Sequence, residues 1–192
     1  MNSATADLTH SKATFGFWLY LMTDCLVFAT LFATFSVLRG ATAGGPEGRE
    51  IFNLPYVFVE TMLLLVSSFT VGMGLLQARR GNRRGLLAML VLTGLLGAVF
   101  LGMELYEFAE LAHEGNSWTR SAFLSSYFGL VGAHGLHIAA GLIWLTCLVL
   151  FHIKHRIDAR GMQRLVQFSL FWHFLDVVWV GIFTVVYLVG VL

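Results

Sequence analysis

The fold of this chain is decided by residues 167–192, QFSLFWHFLDVVWVGIFTVVYLVGVL. The stretch is long enough to cross a bilayer, because a membrane-spanning helix needs about 20 predominantly apolar residues. It contains the run Trp172-His173-Phe174-Leu175-Asp176-Val177-Val178-Trp179, which places an imidazole and a carboxylate one helical turn apart. A charge at the bilayer centre costs at least about 2.5 kcal/mol, so these two side chains are expected to face protein, water or a lipid headgroup.

Four similar apolar windows precede this one, near residues 15–38, 54–78, 86–111 and 123–151. The chain of 192 residues is 57% hydrophobic and only 12% charged, a composition typical of membrane proteins. The sequence therefore predicts an all-α integral membrane bundle of five transmembrane helices, forming a single membrane domain over residues 1–192. The net charge of +1, with basic residues spread among loops, does not indicate a nucleic-acid partner.

The basic residues predict the orientation of the bundle. If the helices alternate in direction, one side of the membrane holds nine of the twelve Lys and Arg: Lys12, Arg79, Arg80, Arg83, Arg84, Lys154, Arg156, Arg160 and Arg164. The other side holds Arg39, Arg49 and Arg120. The positive-inside rule then predicts a cytoplasmic N-terminus and, after five spans, a periplasmic C-terminus.

Ionisable residues inside the predicted spans form two sets by depth, counted at about 1.5 Å of rise per residue. The set in the inner half of the bilayer is Asp24, His134, His137, His173 and Asp176, and the set toward the outer half is Glu60, Glu104 and Glu107. These eight residues are the candidate site, with roles in lipid contact or proton linkage. Of the outer acids, Glu104 is expected to need a donor such as Tyr106 or a group near Glu60. Glu110 follows one turn after Glu107 and is the acid most expected to reach water at a solvated helix end.

Two explanations suit the inner set. His134 with His137 and His173 with Asp176 are i, i+3 pairs, so each pair projects from one helical face and could bind a metal. The alternative, which we favour, is that hydrogen bonds between these groups tie helices four and five together, since unpaired polar groups in hydrocarbon are costly. We predict no metal and no catalytic residues, and we assign Trp172 to an aromatic belt at the inner interface.

Several motifs in order along the chain resemble one family. From about residue 15 onward the sequence is similar to subunit III of haem-copper terminal oxidases, in the five-helix form found with cytochrome bo-type ubiquinol oxidases. The motifs are residues 172–179, His134-Gly135-Leu136-His137 with Gly141, Gly102-Met103-Glu104-Leu105-Tyr106-Glu107-Phe108, Glu60 before Leu63-Leu64-Leu65-Val66-Ser67-Ser68, and Phe17-Trp18-Leu19-Tyr20-Leu21-Met22-Thr23-Asp24. Asp24 stands where cytochrome c oxidase relatives commonly have glutamate, and those relatives often have two further helices.

The resemblance implies a non-catalytic subunit of a proton-pumping terminal ubiquinol oxidase in the aerobic respiratory chain. Such a subunit binds no cofactor itself, while haem and copper belong to its partner, the catalytic subunit I. It supports assembly, stability, phospholipid binding and proton entry, beside other oxidase subunits in the bacterial inner membrane. Asp24 matches the family's buried carboxyl position, and His134, His137, His173 and Asp176 match its characteristic polar positions.

Three alternatives are kept. The nearest is subunit III of a cytochrome c oxidase, because the electron donor is chosen by other subunits. A membrane b-type haem protein would use His134, His137 or His173 as axial ligands. A small proton-coupled carrier would use Asp24 and Asp176 near mid-membrane, although the chain lacks the internal repeats found in many transporters.

Overall fold

The computed structural model describes residues 3–45, 48–155 and 157–191. Pro46 between the first two predicted spans, Arg156 in the predicted basic set and Leu192 at the end of the fifth predicted span lie outside these residues. Within the described ranges the chain is helical and has no strand: α1 (Ser3–Leu38), α2 (Gly48–Ile51), α3 (Leu54–Arg79), α4 (Arg83–His113), α5 (Ala122–Lys154), α6 (Ala159–Ile182), a π-helical segment (Phe183–Leu188) and α7 (Val189–Val191).

Five of these described helices are long and apolar enough to cross a membrane, which confirms the predicted number of spans. The fifth span begins earlier than predicted, because α6 starts at Ala159 and not near residue 167. Its first two turns carry polar residues that lower the hydropathy, yet the carboxylate of Asp158 accepts a hydrogen bond from the Gly161 amide at 2.6 Å and caps the helix. Hydropathy therefore located the membrane core of the helix and missed its polar extension.

Side-chain caps also set the starts of three other spans. Asn53 accepts from the Tyr56 amide before α3, Asn82 from the Gly85 amide before α4, and Ser121 from the Leu124 amide before α5. Between α3 and α4 the chain reverses through Gly81, whose φ of +70° suits glycine.

Neighbouring spans are antiparallel. Arg83 at the start of α4 donates to the carbonyl oxygens of His152 and Ile153 at the end of α5. Tyr56 at the start of α3 donates to the Met103 carbonyl oxygen near the end of α4. We call the end of the bundle with the 80–82 turn and residues 155, 157 and 158 the basic end, and the end with residues 39–45, 48–53 and 114–121 the loop end.

Helix α6 lies at the centre of the bundle, packed on α3, α5 and α1. Half of the most apolar window in its span is buried, against 22% in the span of α1, which packs mainly on α5 and α6. The lipid-facing surface is covered by apolar side chains such as Leu26, Phe69 and Leu95. A buried central helix combined with an apolar exterior is expected of a chain that lies in a bilayer.

Trp172 and Trp179 connect α6 to α3. The Trp172 Nε1 donates to the Ser67 hydroxyl at 2.9 Å, and the Trp179 Nε1 donates to the Thr61 hydroxyl at 3.1 Å. Both indole side chains are fully buried. The prediction that Trp172 belongs to an interfacial belt is therefore wrong, because its ring fills the space between three other helices.

Glycines make room for the Trp172 ring. A Cβ added at Gly97 of α4 would lie 2.9 Å from Trp172 Cη2, and one at Gly141 of α5 would lie 3.0 Å from Trp172 Cζ3. Small residues let membrane helices approach closely, and here they also admit a large ring. At Gly129 of α5, by contrast, nothing lies within 4 Å of an added Cβ.

Candidate functional site

The eight predicted site residues form separate groups in the structure. Toward the loop end, Glu60 of α3 lies with Glu104 and Glu107 of α4, and we call these three residues the glutamate cluster. Nearer the basic end, Asp24 of α1 faces His137 of α5. The remaining three are His134, enclosed by aromatic rings, and His173 with Asp176 on α6.

The glutamate cluster is buried within the bundle. Glu60 is fully buried and Glu104 is only 1% exposed. A Cβ added at Gly135 of α5 would lie 2.5 Å from Glu104 Oε1, so glycine leaves the space that this carboxyl occupies. Both oxygens of Glu60 and Oε2 of Glu104 have no hydrogen-bond partner within the described ranges. Carboxyls placed this way are costly as bare anions, so they are suited to holding protons or ordered water.

Two tyrosines that the sequence prediction missed supply hydroxyls to the cluster. The Tyr187 hydroxyl donates to Glu107 Oε2 at 3.3 Å and lies 3.0 Å from the Tyr127 hydroxyl. Both tyrosines are fully buried, whereas Tyr106, one of the donors predicted for Glu104, is 61% exposed. Tyr187 belongs to the π-helical segment that follows α6, and nothing in the sequence pattern indicated that this segment would turn its hydroxyl toward α4.

A pocket of about 260 Å³ opens beside the cluster at the loop end. Its lining includes Glu107, Glu110 and Glu114 together with Asn53 and Tyr56. Glu107 is therefore the boundary between the pocket and the two buried glutamates. Glu110 is exposed, as predicted for an acid at a solvated helix end, whereas Glu104 is buried against Gly135 of α5, as expected for an acid that needs a donor.

Asp24 and His137 form the one ion-pair contact among the described residues, with 3.7 Å between Asp24 Oδ1 and His137 Nε2. The Nδ1 of His137 donates to the Ala133 carbonyl oxygen at 2.7 Å, which leaves Nε2 directed at the carboxyl. Tyr20, one turn before Asp24 on α1, also places its hydroxyl against this carboxyl. A single proton placed on either Asp24 or His137 satisfies the pair, so the geometry suits a one-proton site.

His134 is fully buried, and neither ring nitrogen has a hydrogen-bond partner within the described part of the chain. Its ring centroid lies 5.1 Å from that of Trp179 and 6.0 Å from that of Phe100. The rings of His134 and His137 both contact Phe28 of α1, as expected for residues on one helical face.

Asp176 of α6 is half-buried, faces the Ser68 hydroxyl of α3 and interacts electrostatically with the exposed His173. The prediction that hydrogen bonds between the inner polar residues tie α5 to α6 is wrong for the described residues. The observed polar ties join α6 to α3 through the two tryptophans and α1 to α5 through Asp24 and His137. Helix rotation explains the difference, since it turns Asp176 toward α3.

No group of three or more His, Cys, Asp and Glu side chains is arranged to hold a metal ion in ranges 3–45, 48–155 and 157–191. The inner pairs are divided among different helix interfaces. The arrangement supplies buried carboxyl, imidazole and phenol groups. Such groups can bind protons, form hydrogen bonds and contact polar headgroups.

Comparison with known proteins identifies the family of the chain. The family model described as cytochrome c oxidase subunit III matches residues 5–191. The chain belongs to the cytochrome c oxidase subunit III family. The resemblance inferred from its motifs is thereby confirmed.

Individual relatives of this subunit III bear the names of ubiquinol oxidase and cytochrome c oxidase subunits. Cytochrome bo(3) ubiquinol oxidase subunit 3 of Pseudomonas aeruginosa is 56% identical over 178 residues, which is 93% of this chain and 85% of the relative. The protein of the same name from Pseudomonas putida is 55% identical, covering 92% and 86%. Cytochrome c oxidase subunit 3 of Bacillus sp. (strain PS3) is 44% identical, covering 96% and 89%. The two Pseudomonas identities confirm the prediction of a subunit III of the ubiquinol oxidase kind.

Proposed function

We propose that this subunit III acts as a non-catalytic subunit of a proton-pumping ubiquinol oxidase in a bacterial inner membrane. The observation that carries the proposal is the 56% identity, along 93% of the chain, to a subunit 3 of cytochrome bo(3) ubiquinol oxidase. Its partners are the catalytic subunit I, which holds haem and copper, the other oxidase subunits and phospholipids. Oxygen reduction takes place in the partner, and the bundle supplies assembly and durability.

The test of this proposal is affinity purification of the tagged chain in mild detergent, followed by activity assays on the purified material. The proposal expects a larger haem-containing subunit to co-purify and the preparation to oxidise ubiquinol with oxygen uptake. Oxidation of reduced cytochrome c in place of ubiquinol would favour the cytochrome c oxidase alternative. A tagged chain that purifies alone from an oxidase-expressing strain would contradict the proposal.

The proposed topology puts the basic end in the cytoplasm and the loop end in the periplasm. It is supported by the charges, because Arg79, Arg80, Arg83 and Arg84 surround the turn at the basic end, whereas Arg39 and Arg120 lie at the loop end. A chain without Cys25 and Cys147 can carry a single cysteine at either end. In intact spheroplasts, a membrane-impermeant maleimide should label Trp118→Cys and spare Lys154→Cys, and the reverse pattern would invert the topology.

A proton-linked role is proposed for Asp24 and His137. The support is their one-proton geometry near the basic end and their position on α1 and α5, two helices that this contact joins. Under sustained turnover, the oxidase with Asp24→Asn should lose activity faster than the unaltered enzyme, with its initial rate preserved. The matched control is Ser36→Ala on the same helix, whose exposed hydroxyl bonds only its own helix at Phe32. Equal inactivation of the two variants would count against the role.

A further inference from the structure

Hydrogen-bond donors reach the carboxyl of Glu107 in the glutamate cluster. Its Oε2 accepts from the Tyr187 hydroxyl at 3.3 Å. Because Tyr187 has a single hydroxyl proton, the Tyr127 hydroxyl, 3.0 Å away, is the donor in the bond between the two tyrosines. The two phenols therefore form a short chain of hydrogen bonds that ends on Glu107. This carboxyl is equipped to carry a negative charge.

The other two carboxyls of the cluster are enclosed without such donors. Glu60 is fully buried, and neither of its oxygens has a hydrogen-bond partner in ranges 3–45, 48–155 and 157–191; the same holds for Oε2 of Glu104. Glu60 reaches the cluster from α3 and interacts electrostatically with both acids of α4. A carboxyl without donors in an apolar interior is stable when it carries a proton and bonds to water.

No cation balances these acids among the residues that the structure describes. The ion pair found there is Asp24 with His137, and the three glutamates take part in none. The titratable side chains that face the cluster are Tyr56 from α3, Glu110 from α4, Tyr127 from α5 and Tyr187 from the π-helical segment. None of them is basic, and His134 of α5 faces aromatic rings instead. Since three like charges in one apolar space repel, the cluster is expected to hold protons.

A graded row of acids leads from the cluster to water along one side of α4. Glu104 is buried, Glu107 lines the pocket of about 260 Å³, and the exposed Glu110 and Glu114 line the same pocket. Successive members are three or four residues apart, so they lie above one another on one helical face, about 15 Å from first to last. A proton that enters the pocket therefore meets Glu107 before it meets Glu104.

We propose that the glutamate cluster is a proton-exchange site with two kinds of carboxyl. Glu60 and Glu104 hold protons together with bound water, and Glu107 passes protons between them and the water in the pocket. Each exchange moves one proton from a carboxylic acid to the Glu107 carboxylate and from there to water, and no electron is transferred. The ligands of the site are protons and water.

The cluster lies toward the loop end, whereas the Asp24–His137 pair lies nearer the basic end. In the proposed ubiquinol oxidase the loop end faces the periplasm, where pumped protons arrive, and the cluster buffers protons on that side. This placement rests on the proposed function and topology. The exchange site itself rests on contacts within the chain.

The test is infrared difference spectroscopy of the purified oxidase complex in lipid nanodiscs, comparing the unaltered complex with single glutamine variants. At neutral pH, Glu60→Gln and Glu104→Gln should each remove one band from the carbonyl-stretch region of protonated carboxylic acids. In the unaltered complex these bands should shift when heavy water replaces water. The matched control is Glu110→Gln, which alters an exposed acid on the same helix and should remove no band.

Glu107→Gln tests the exchange step. The variant keeps the shape of the side chain but cannot carry a proton between the cluster and the pocket. Deuterium exchange at the Glu60 and Glu104 bands should therefore slow by about a hundredfold, the lower range for loss of a positioned acid or base. Asp24→Asn, nearer the basic end, should leave this exchange unchanged. Where Glu104→Gln fails to assemble, Glu104→Asp keeps a carboxylic acid and should shift the band without removing it.

Any of four results would overturn the proposal. They are bands unaltered by either glutamine variant of the buried acids, a band lost in Glu110→Gln, a band unmoved by Glu104→Asp, and exchange that Glu107→Gln leaves fast or Asp24→Asn slows. Co-purification and haem content are recorded for every variant. An intact complex that oxidises ubiquinol without these bands refutes the proton site alone, whereas a chain that purifies without oxidase subunits refutes the proposed function.

Discussion

The space around the Trp172 ring gives the sharpest test of the packing. The ring is fully buried, its Nε1 is held by the Ser67 hydroxyl, and its outer edge touches the Gly97 backbone of α4. In Gly97→Ala the new methyl group would lie 2.9 Å from Trp172 Cη2 and Cζ2 and 3.2 Å from Leu142 Cδ2. The hydrogen bond and the burial prevent the ring from turning away, so the helices must separate.

The control for this change is Gly102→Ala on the same helix, where nothing lies within 4 Å of an added Cβ. Both substitutions gain the same helix propensity, of about 1 kcal/mol. The difference between the two variants in free energy of unfolding therefore isolates the cost of overpacking. Gly97→Ala should be less stable than Gly102→Ala by about 1–3 kcal/mol. The assay is SDS-induced unfolding of the chain in mixed micelles, followed by tryptophan fluorescence and far-ultraviolet circular dichroism.

Trp172→Phe completes a double-mutant cycle. It removes the ring atoms nearest Gly97, so in that background Gly97→Ala should lower the free energy of unfolding much less. The two substitutions should therefore be strongly coupled. Ser67 remains satisfied there, because its own hydroxyl donates to the Leu64 carbonyl oxygen at 2.7 Å. Equal unfolding midpoints for the two glycine variants, or additive effects in the cycle, would refute the packing argument.

Two other contacts give predictions of stability by the same assay. Tyr187→Phe should lower the free energy of unfolding by about 0.5–1.5 kcal/mol, because Glu107 loses the hydroxyl 3.3 Å from its Oε2, and exposed Tyr106→Phe should have no effect. Arg83→Gln should cost about 1.5–3 kcal/mol through loss of its charge-assisted bonds to the end of α5, while Arg84→Gln should leave stability unchanged. Stability effects of equal size within either pair would contradict these assignments.

Hydropathy was enough to predict five spans, because each membrane core is a long apolar run. It could not predict where the helices begin, since Asp158 and other capping residues extend them into polar sequence. The start of α6 therefore lies several residues before the predicted one. Length and composition determine which segments span the membrane, and local hydrogen bonding determines the residue at which each helix begins.

The sequence identified the ionisable residues of the site but not their partners. A transmembrane helix that is apolar on most of its faces gives no periodic signal of how it is rotated. Asp176 consequently faces α3 and not α5. Tyr106, a predicted donor to Glu104, is exposed, and the tyrosine that donates within the glutamate cluster is Tyr187, to Glu107. The contact between Asp24 and His137 joins residues 113 positions apart, a separation that no local motif encodes.

The central claim is that the buried polar groups of this subunit III support a partner and perform no redox chemistry. The most direct measurement compares oxidase purified from cells with and without this chain, recording the haem optical spectrum and oxygen uptake during prolonged ubiquinol oxidation. The account predicts the same haem spectrum and initial rate in both preparations, with faster loss of activity where the chain is missing. A haem signal carried by the chain alone, or an enzyme equally durable without it, would contradict the account.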